Sequence, residues 1–149
     1  MTMQQVETGE ARGVFDRMTE AVINHDLEAL ARVYAPDAVA TSPDGEIRGR
    51  DAILAYLKQY LDAFPDLTWE PLHSVESGNI AVDEGFLVGT HTEPLTMPDG
   101  ATVPPTDRKV RFRECDAVTV ENGLITSHRF YYDQMDVLDQ LGLLPETAS

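Results

Sequence analysis

In the first half of the chain, apolar residues recur with the period of an α-helix. A first helix is predicted because apolar residues that would share one of its faces recur every three to four positions. They are Ala11, Val14, Phe15, Met18, Ala21 and Val22. Asp26 is predicted to cap a second helix, which Pro36 ends. Asp51 is predicted to cap a third, which stops before Pro65. Three helices are therefore expected in the first half of the chain.

Strand-like segments follow the third helix. They cover 67–75, 80–91, 109–120 and 124–132, and a last short helix is predicted over 134–142. Asn122-Gly123 is a hairpin signal between the last two strands. The segment Pro94–Pro105 contains too much proline and glycine for a strand, so we expect it to arch over one end of the sheet.

This order of elements predicts an α+β fold. Helices packed on one face of a strongly curved, mainly antiparallel sheet would form a cone-shaped barrel with a cavity between the layers. A chain of 149 residues without repeats or linkers fits one domain, predicted over 10–145. Residues 1–9 and 146–149 are predicted to be flexible tails.

Charge narrows the classes of partner. Eleven Lys and Arg against 26 Asp and Glu give a net charge of -15, which would repel nucleic acid and anionic membranes. A single cysteine allows no disulfide framework, and no apolar run resembles a signal peptide or membrane span. We therefore expect a soluble cytoplasmic protein. The scattered histidines show no metal-binding spacing, and no phosphate-binding or serine-hydrolase motif is present.

Ionisable residues interrupt the apolar rows of the long strands. Glu84 lies in the row of the second strand, Glu114 and Asp116 in that of the third, and His128 in that of the last. A carboxyl group on an apolar face has a raised pKa and can act as a general acid or base near neutral pH. A β-bulge would instead turn these acids to solvent, which we prefer for Glu114.

Asp133, where the last strand meets the last helix, has two interpretations. It can cap the helix, which the chemistry favours, or present a carboxylate to a pocket. His91 ends a strand at the expected pocket rim. A lone histidine such as His128 is more often structural than catalytic. Aromatic side chains including Trp69, Tyr56 and Tyr131 could line a pocket for a flat apolar ligand.

Several stretches together resemble one family. In order they are Phe64-Pro65-Asp66-Leu67, Gly89-Thr90-His91-Thr92, Pro104-Pro105-Thr106, Asn122-Gly123-Leu124-Ile125, and Tyr132-Asp133 followed by Leu138-Asp139-Gln140-Leu141-Gly142. Their order and spacing resemble the SnoaL-like polyketide cyclases, or ester cyclases, of the nuclear transport factor 2-like (cystatin-like) superfamily. The resemblance extends from about Ala11 to Leu144.

The resemblance implies a homodimer or higher oligomer with a cofactor-free pocket for a hydrophobic small molecule. It also implies a cyclase that closes a polyketide-like ring by aldol condensation. Asp133 would be the acid/base, assisted by His128 or His91, while Asp116 and Glu84 tune the site. We expect the convex face of the sheet to form the dimer.

Two alternatives stay open. The same pocket could support isomerisation, dehydration or epoxide opening, which would be favoured if Arg129 and two acids converged on a water molecule. The chain could also be a binding or dimerising module without catalysis, which would be favoured if Asp133 only capped its helix.

Overall fold

The computed structural model describes residues 10–97 and 99–145, so the predicted tails at 1–9 and 146–149 lie outside the described residues. The elements in chain order are α1 (Glu10–Ile23), α2 (Leu27–Val33), β1 (Tyr34–Ser42), β2 (Gly45–Arg48), α3 (Arg50–Ala63), β3 (Thr68–Ser77), β4 (Ile80–Thr90), β5 (Leu95–Thr96), β6 (Thr102–Val103), β7 (Lys109–Glu121), β8 (Leu124–Tyr132) and α4 (Gln134–Gln140). No helix within these described ranges has both the length and the apolar character needed to cross a membrane.

Of the two helix caps predicted from the sequence, the structure confirms one. Asp26 caps α2 as predicted, because its carboxylate accepts a hydrogen bond from the Ala29 N–H at 3.0 Å. The prediction for Asp51 is wrong, since Gly49 is the cap of α3. Gly49 has a φ of 92°, a conformation that favours glycine, and its N–H donates to the Ala38 carbonyl at 2.7 Å. This bond ties the start of α3 to β1.

Six strands form a mixed sheet in the order β2-β1-β8-β7-β4-β3. Only the β1–β8 pairing is parallel among the strands of this sheet, which the predicted meander did not include. The helices pack on one side of the sheet, and the main core lies between the two layers. The α+β prediction is confirmed.

The segment predicted as a strandless arch contains a small hairpin. Its strands β5 and β6 pair Leu95 with Val103 and Thr96 with Thr102. The prediction of no strand fails here because Leu95 is buried in a second core cluster with Phe64 and Leu141. Burial of this side chain anchors the hairpin despite the flanking prolines.

Candidate functional site

A cavity of about 160 Å³ lies between the helices and the sheet. Its wall is mainly aliphatic and aromatic, as expected for a site that binds small organic molecules. A few ionisable or hydrogen-bonding side chains interrupt that wall, namely Thr19, Tyr56, Tyr60, Trp69, Glu114, Asp116, His128, Tyr132 and Gln134. All of these except Thr19 and Trp69 form two groups, an acid/base group on the sheet and a phenol group near α3.

The acid/base group is positioned by two neighbouring strands. Period-2 alternation turns Glu114 and Asp116 of β7 to the cavity, and His128 and Phe130 of β8 lie beside them. Asp116 is directly opposite Phe130, so His128 is its diagonal neighbour. The Nε2 atom of His128 lies 4.0 Å from Oδ2 of Asp116. Only 8% of Glu114, 8% of Asp116 and 2% of His128 is exposed.

Burial changes the proton affinity of both carboxyl groups. Desolvation raises the pKa of Asp116 to about 7, with a further rise from Asp83 and an opposing effect of the hydrogen bond to Glu114. Desolvation and the neighbouring Asp116 carboxyl raise the pKa of Glu114 well above its ordinary value. Two buried acids side by side cannot both ionise easily, so the pair retains a proton near neutral pH.

His128 is held as a neutral imidazole. Desolvation lowers its pKa to about 3, opposed by the charge of Glu114. Its Nδ1 atom lies 2.7 Å from the hydroxyl of Tyr34, which is itself buried. Nε2, the nitrogen nearer Asp116, has no hydrogen-bond partner within the described part of the chain. Tyr34 therefore orients a ring whose other nitrogen is left for the acid pair or a ligand.

The phenol group is tied to the β1–β2 turn. Tyr56 and Tyr60 donate hydrogen bonds to Oδ2 of Asp44 at 3.0 and 3.2 Å. The Gln134 side-chain amide donates to Oδ1 of the same carboxylate at 2.5 Å. Burial raises the pKa of Tyr56, Tyr60 and Tyr132, so these phenols stay protonated at neutral pH.

The sequence profile of the SnoaL-like domain matches residues 15–128. The chain belongs to the SnoaL-like domain family. Its fold is also that of IdmH from Streptomyces antibioticus, a polyketide cyclase candidate, with 28% identity, 90% of this chain and 99% of that chain covered and a TM-score of 0.73. The predicted family is confirmed. No protein of curated function matches the chain by sequence.

Two further solved structures share the nuclear transport factor 2-like fold. A SnoaL-like polyketide cyclase candidate from Jannaschia sp. CCS1 is 17% identical, with 97% and 99% of the two chains covered and a TM-score of 0.81. AclR from Streptomyces galilaeus, a hydroxylase candidate, is 24% identical over 91% of this chain and 98% of that one, with a TM-score of 0.75. At these identities the likeness concerns the fold alone.

Four of the predicted site residues line the cavity of this SnoaL-like domain. They are His128, Asp116, Trp69 and Tyr56. The strand alternation that predicted the inward face of β7 is therefore correct. It applies equally to Glu114, so the solvent-facing interpretation preferred for that residue is wrong.

The two other candidates for catalysis lie outside the cavity lining. Asp133 is exposed and caps α4, accepting from the N–H groups of Met135 and Asp136 at 3.0 and 3.2 Å. Because Tyr132 points into the cavity, the next residue turns away from it. His91 is fully buried beside Phe64, and its Nδ1 accepts from the Thr106 N–H at 3.2 Å. The position of His91 therefore supports a role in holding the segment before β7.

Three residues predicted for the pocket lie elsewhere, and those placements are wrong. Glu84 is on the outer face of β4, with 40% of its side chain exposed and a carboxylate oxygen 4.0 Å from Arg113. Arg129 donates to Ser127 at 2.6 Å on the outer face of β8, and Tyr131 is 56% exposed. All three alternate with residues that face the helices, so strand parity turns them outward.

The sequence reasoning missed the hydrogen-bonding or acid/base roles of several site residues. Tyr34 was one of the aromatic residues that could line a pocket, but its contact with His128 could not be predicted, because that contact depends on the parallel β1–β8 pairing. Tyr60 and Tyr132 share apolar rows with core residues, and a tyrosine in such a row looks like packing. Glu114 did give a signal, its two-residue spacing from Asp116. Among the residues that the structure describes, no three His, Cys, Asp or Glu side chains are arranged to hold a metal ion.

Proposed function

We propose that this SnoaL-like domain is a cofactor-independent cyclase that closes a ring by intramolecular aldol addition on a polyketide-like intermediate. The observation that carries the proposal is the buried pair Glu114 and Asp116 beside His128 in an apolar cavity. A base with a pKa of about 7 is well matched to removing an activated proton at neutral pH.

In the first step the carboxylate of Asp116 removes a proton from a carbon between two carbonyl groups. The C–H bond breaks, the proton moves to Asp116, and the electron pair delocalises onto a carbonyl oxygen as an enolate. Glu114 stays protonated because its pKa is raised well above its ordinary value. The two carboxyl groups thus take opposite roles, as unequal environments allow.

In the second step the enolate carbon attacks another carbonyl carbon of the same molecule. A C–C bond forms, the C=O π bond breaks, and the oxygen that becomes an alkoxide takes a proton from Glu114 or Asp116. His128 is neutral, so its role is to position the pair and to hydrogen-bond the reacting oxygen through Nε2. Tyr34 is a positioning residue, acting through His128. The cavity wall favours the folded substrate conformation.

Proton abstraction can be tested with β-tetralone, an aromatic ketone with activated C–H bonds. Incorporation of deuterium from D₂O, followed by proton NMR, should be faster with the wild type than with Asp116→Asn. A fall of about 100-fold is expected for loss of a general base. The Asp133→Asn variant serves as the control and should retain the wild-type rate. Equal rates for wild type and Asp116→Asn would refute the proposed base.

Isomerisation is the second candidate, because the same unequal acid pair favours it. Asp116 would remove a proton from one carbon, and the protonated pair would return one to another carbon, without C–C bond formation. A flexible diketone distinguishes the two, since a cyclase forms a ring product visible by NMR and an isomerase does not. The outward position of Arg129 argues against the epoxide-opening alternative.

A homodimer is also proposed, through the outer face of β3 and β4. Val75 and Ile80 are exposed there, Leu72 is exposed at the β-bulge of β3, and these are three of the five large apolar side chains exposed among the described residues. Val75→Asp should shift the sedimentation of the protein from dimer to monomer at micromolar concentration, whereas Lys58→Asp on α3 should not. A wild-type monomer under these conditions would exclude the dimer.

A further inference from the structure

The phenol group of the cavity has a hydrogen-bond arrangement that the proposed acid/base chemistry does not use. A phenol has one proton to donate. Tyr56 and Tyr60 both donate theirs to Asp44, a carboxylate outside the cavity lining. Their oxygen atoms are left as acceptors. Tyr132 is the third phenol of the group, and the side-chain hydrogen bonds that Asp44 accepts within the described residues come from Tyr56, Tyr60 and Gln134, so that carboxylate does not take the Tyr132 proton.

The position of Tyr132 makes that proton available to a ligand. Tyr132 lines the cavity, and its ring packs against Phe112 with centroids 5.5 Å apart, which fixes its direction. A hydroxyl rotates about its C–O bond, so Tyr132 can turn its proton to a ligand oxygen in the cavity.

The ring of Phe130 lies between the two polar groups. Phe130 packs against His128 with centroids 3.9 Å apart and against Tyr56 with centroids 6.3 Å apart. A ligand that reaches both groups must therefore carry an apolar, ring-sized body between its reactive carbon and a second oxygen. The apolar wall of the cavity suits such a body.

Charge decides what kind of oxygen binds. Asp44 lies behind the phenols, Glu114 and Asp116 lie on the sheet, and the chain carries a net charge of -15. An anionic group would be repelled by these carboxylates and would find no cation among the lining residues that the structure describes. Burial raises the pKa of Tyr132, which keeps its hydroxyl protonated as a neutral donor. A neutral acceptor is therefore favoured.

We propose that Tyr132, supported by Tyr56, Tyr60 and Asp44, donates a hydrogen bond to a neutral carbonyl oxygen of the ligand, one ring away from the acid pair. The substrate class is thus a cyclic or aromatic ketone with a second carbonyl group remote from the reacting carbon. This inference rests on the proposed function for the identity of the reacting end, but the carbonyl site itself is tested by binding alone.

The experiment compares two ligands that differ in one atom position, acetophenone and α-methylstyrene, which replaces the carbonyl oxygen by a methylene group. The chain has one tryptophan, and Trp69 lines the cavity, so its indole N–H signal in NMR reports binding of each ligand. The measured quantity is the ratio of the two Kd values. One neutral hydrogen bond predicts that Tyr132→Phe shifts this ratio about five-fold against the ketone.

The matched control is Tyr131→Phe, because Tyr131 is the adjacent phenol and faces outward. It should leave the ratio unchanged. Asp44→Asn, which removes the charge that holds the Tyr56 and Tyr60 protons, should shift the ratio in the same direction as Tyr132→Phe by about two-fold. The Asp44→Asn variant therefore tests the proposal even if Tyr132→Phe folds poorly.

The outcomes separate this inference from the proposed function. Asp116→Asn should slow deuterium exchange in β-tetralone about 100-fold and leave the acetophenone preference intact. If the ratio of Kd values is the same in wild type, Tyr132→Phe and Asp44→Asn, the carbonyl site is refuted, whatever Asp116 does. Failure of both ligands to shift the Trp69 signal at millimolar concentration would overturn it as well.

Discussion

Replacing Asp116 by asparagine should make the fold more stable at neutral pH while removing the proposed base. Burial raises the pKa of this carboxyl group from 3.8 to about 7. Holding the ionised form inside the protein therefore costs about 4 kcal/mol relative to the unfolded chain. Asparagine has nearly the same shape as the protonated acid and carries no charge, so it avoids this penalty.

The sign of the effect sets the pH window. Because the folded pKa is raised, the contribution of Asp116 to stability is complete below pH 3.8 and is lost as pH rises to about 7. The unfolding free energy of Asp116→Asn minus that of the wild type should therefore increase by about 4 kcal/mol between these limits, and then stay constant. A difference in packing between the two proteins that does not depend on pH adds a constant to this difference in unfolding free energy and does not change how it varies with pH.

The assay is urea unfolding at a series of pH values, followed by the fluorescence of Trp69. Asp133→Asn is the matched control, because it exchanges the same atoms at an exposed helix cap. Asparagine caps a helix about as well as aspartate, so that difference should stay well below the change of about 4 kcal/mol expected for Asp116→Asn. A difference between Asp116→Asn and wild type that does not vary with pH would refute the idea of a desolvated carboxylate.

Three further predictions concern the surroundings of the site. The lowered pKa of His128, about 3 against an ordinary 6.5, means that the contribution of His128 to stability is lost as pH falls through this range, so the unfolding free energy of wild type minus that of His128→Gln should decrease as pH falls in the same urea series. Asp83→Ala should lower the unfolding free energy by about 3 kcal/mol, because it leaves the mostly buried guanidinium of Arg12 without its bidentate partner. Lys58→Ala, which breaks an exposed pair, should change it by less than about 1 kcal/mol, and equal effects would contradict this. Gly85→Ala should lower stability by about 2 kcal/mol in a thermal melt, since the added methyl group would lie 2.7 Å from the Trp69 ring, and an unchanged Tm would contradict it.

Strand alternation predicted which residues share a face, but not which face is concave. On β4 it correctly grouped Glu84 with Val82 and Phe86. That row is the outer one, although it is the more apolar. The inner row contains Ala81 and Gly85, which are small because neighbouring groups approach closely, as the Trp69 ring does at Gly85. Side-chain size near a bend therefore obscures the usual relation between hydrophobicity and burial.

Long-range pairing limited the prediction of the site more than local pattern did. Asp116 and His128 were found because each interrupts an apolar row on its own strand. Their common environment depends on Tyr34, which reaches His128 only because β1 lies parallel to β8. For Asp133, local chemistry predicted a helix cap and the family resemblance predicted a catalytic acid/base. The helix-cap prediction agrees with the structure, because two hydrogen bonds from the start of α4 direct the carboxylate away from the cavity.

The interior position of β8 has a consequence for biosynthesis. This strand comes after the other five strands of the sheet in chain order, yet it joins β1 to β7 within the sheet. A nascent or truncated chain that lacks residues 124–132 would have two unpaired strand edges at the same time, one on each half of the sheet. Such edges pair readily with strands of other molecules, so incomplete chains of this protein should aggregate unless a chaperone covers them until synthesis ends.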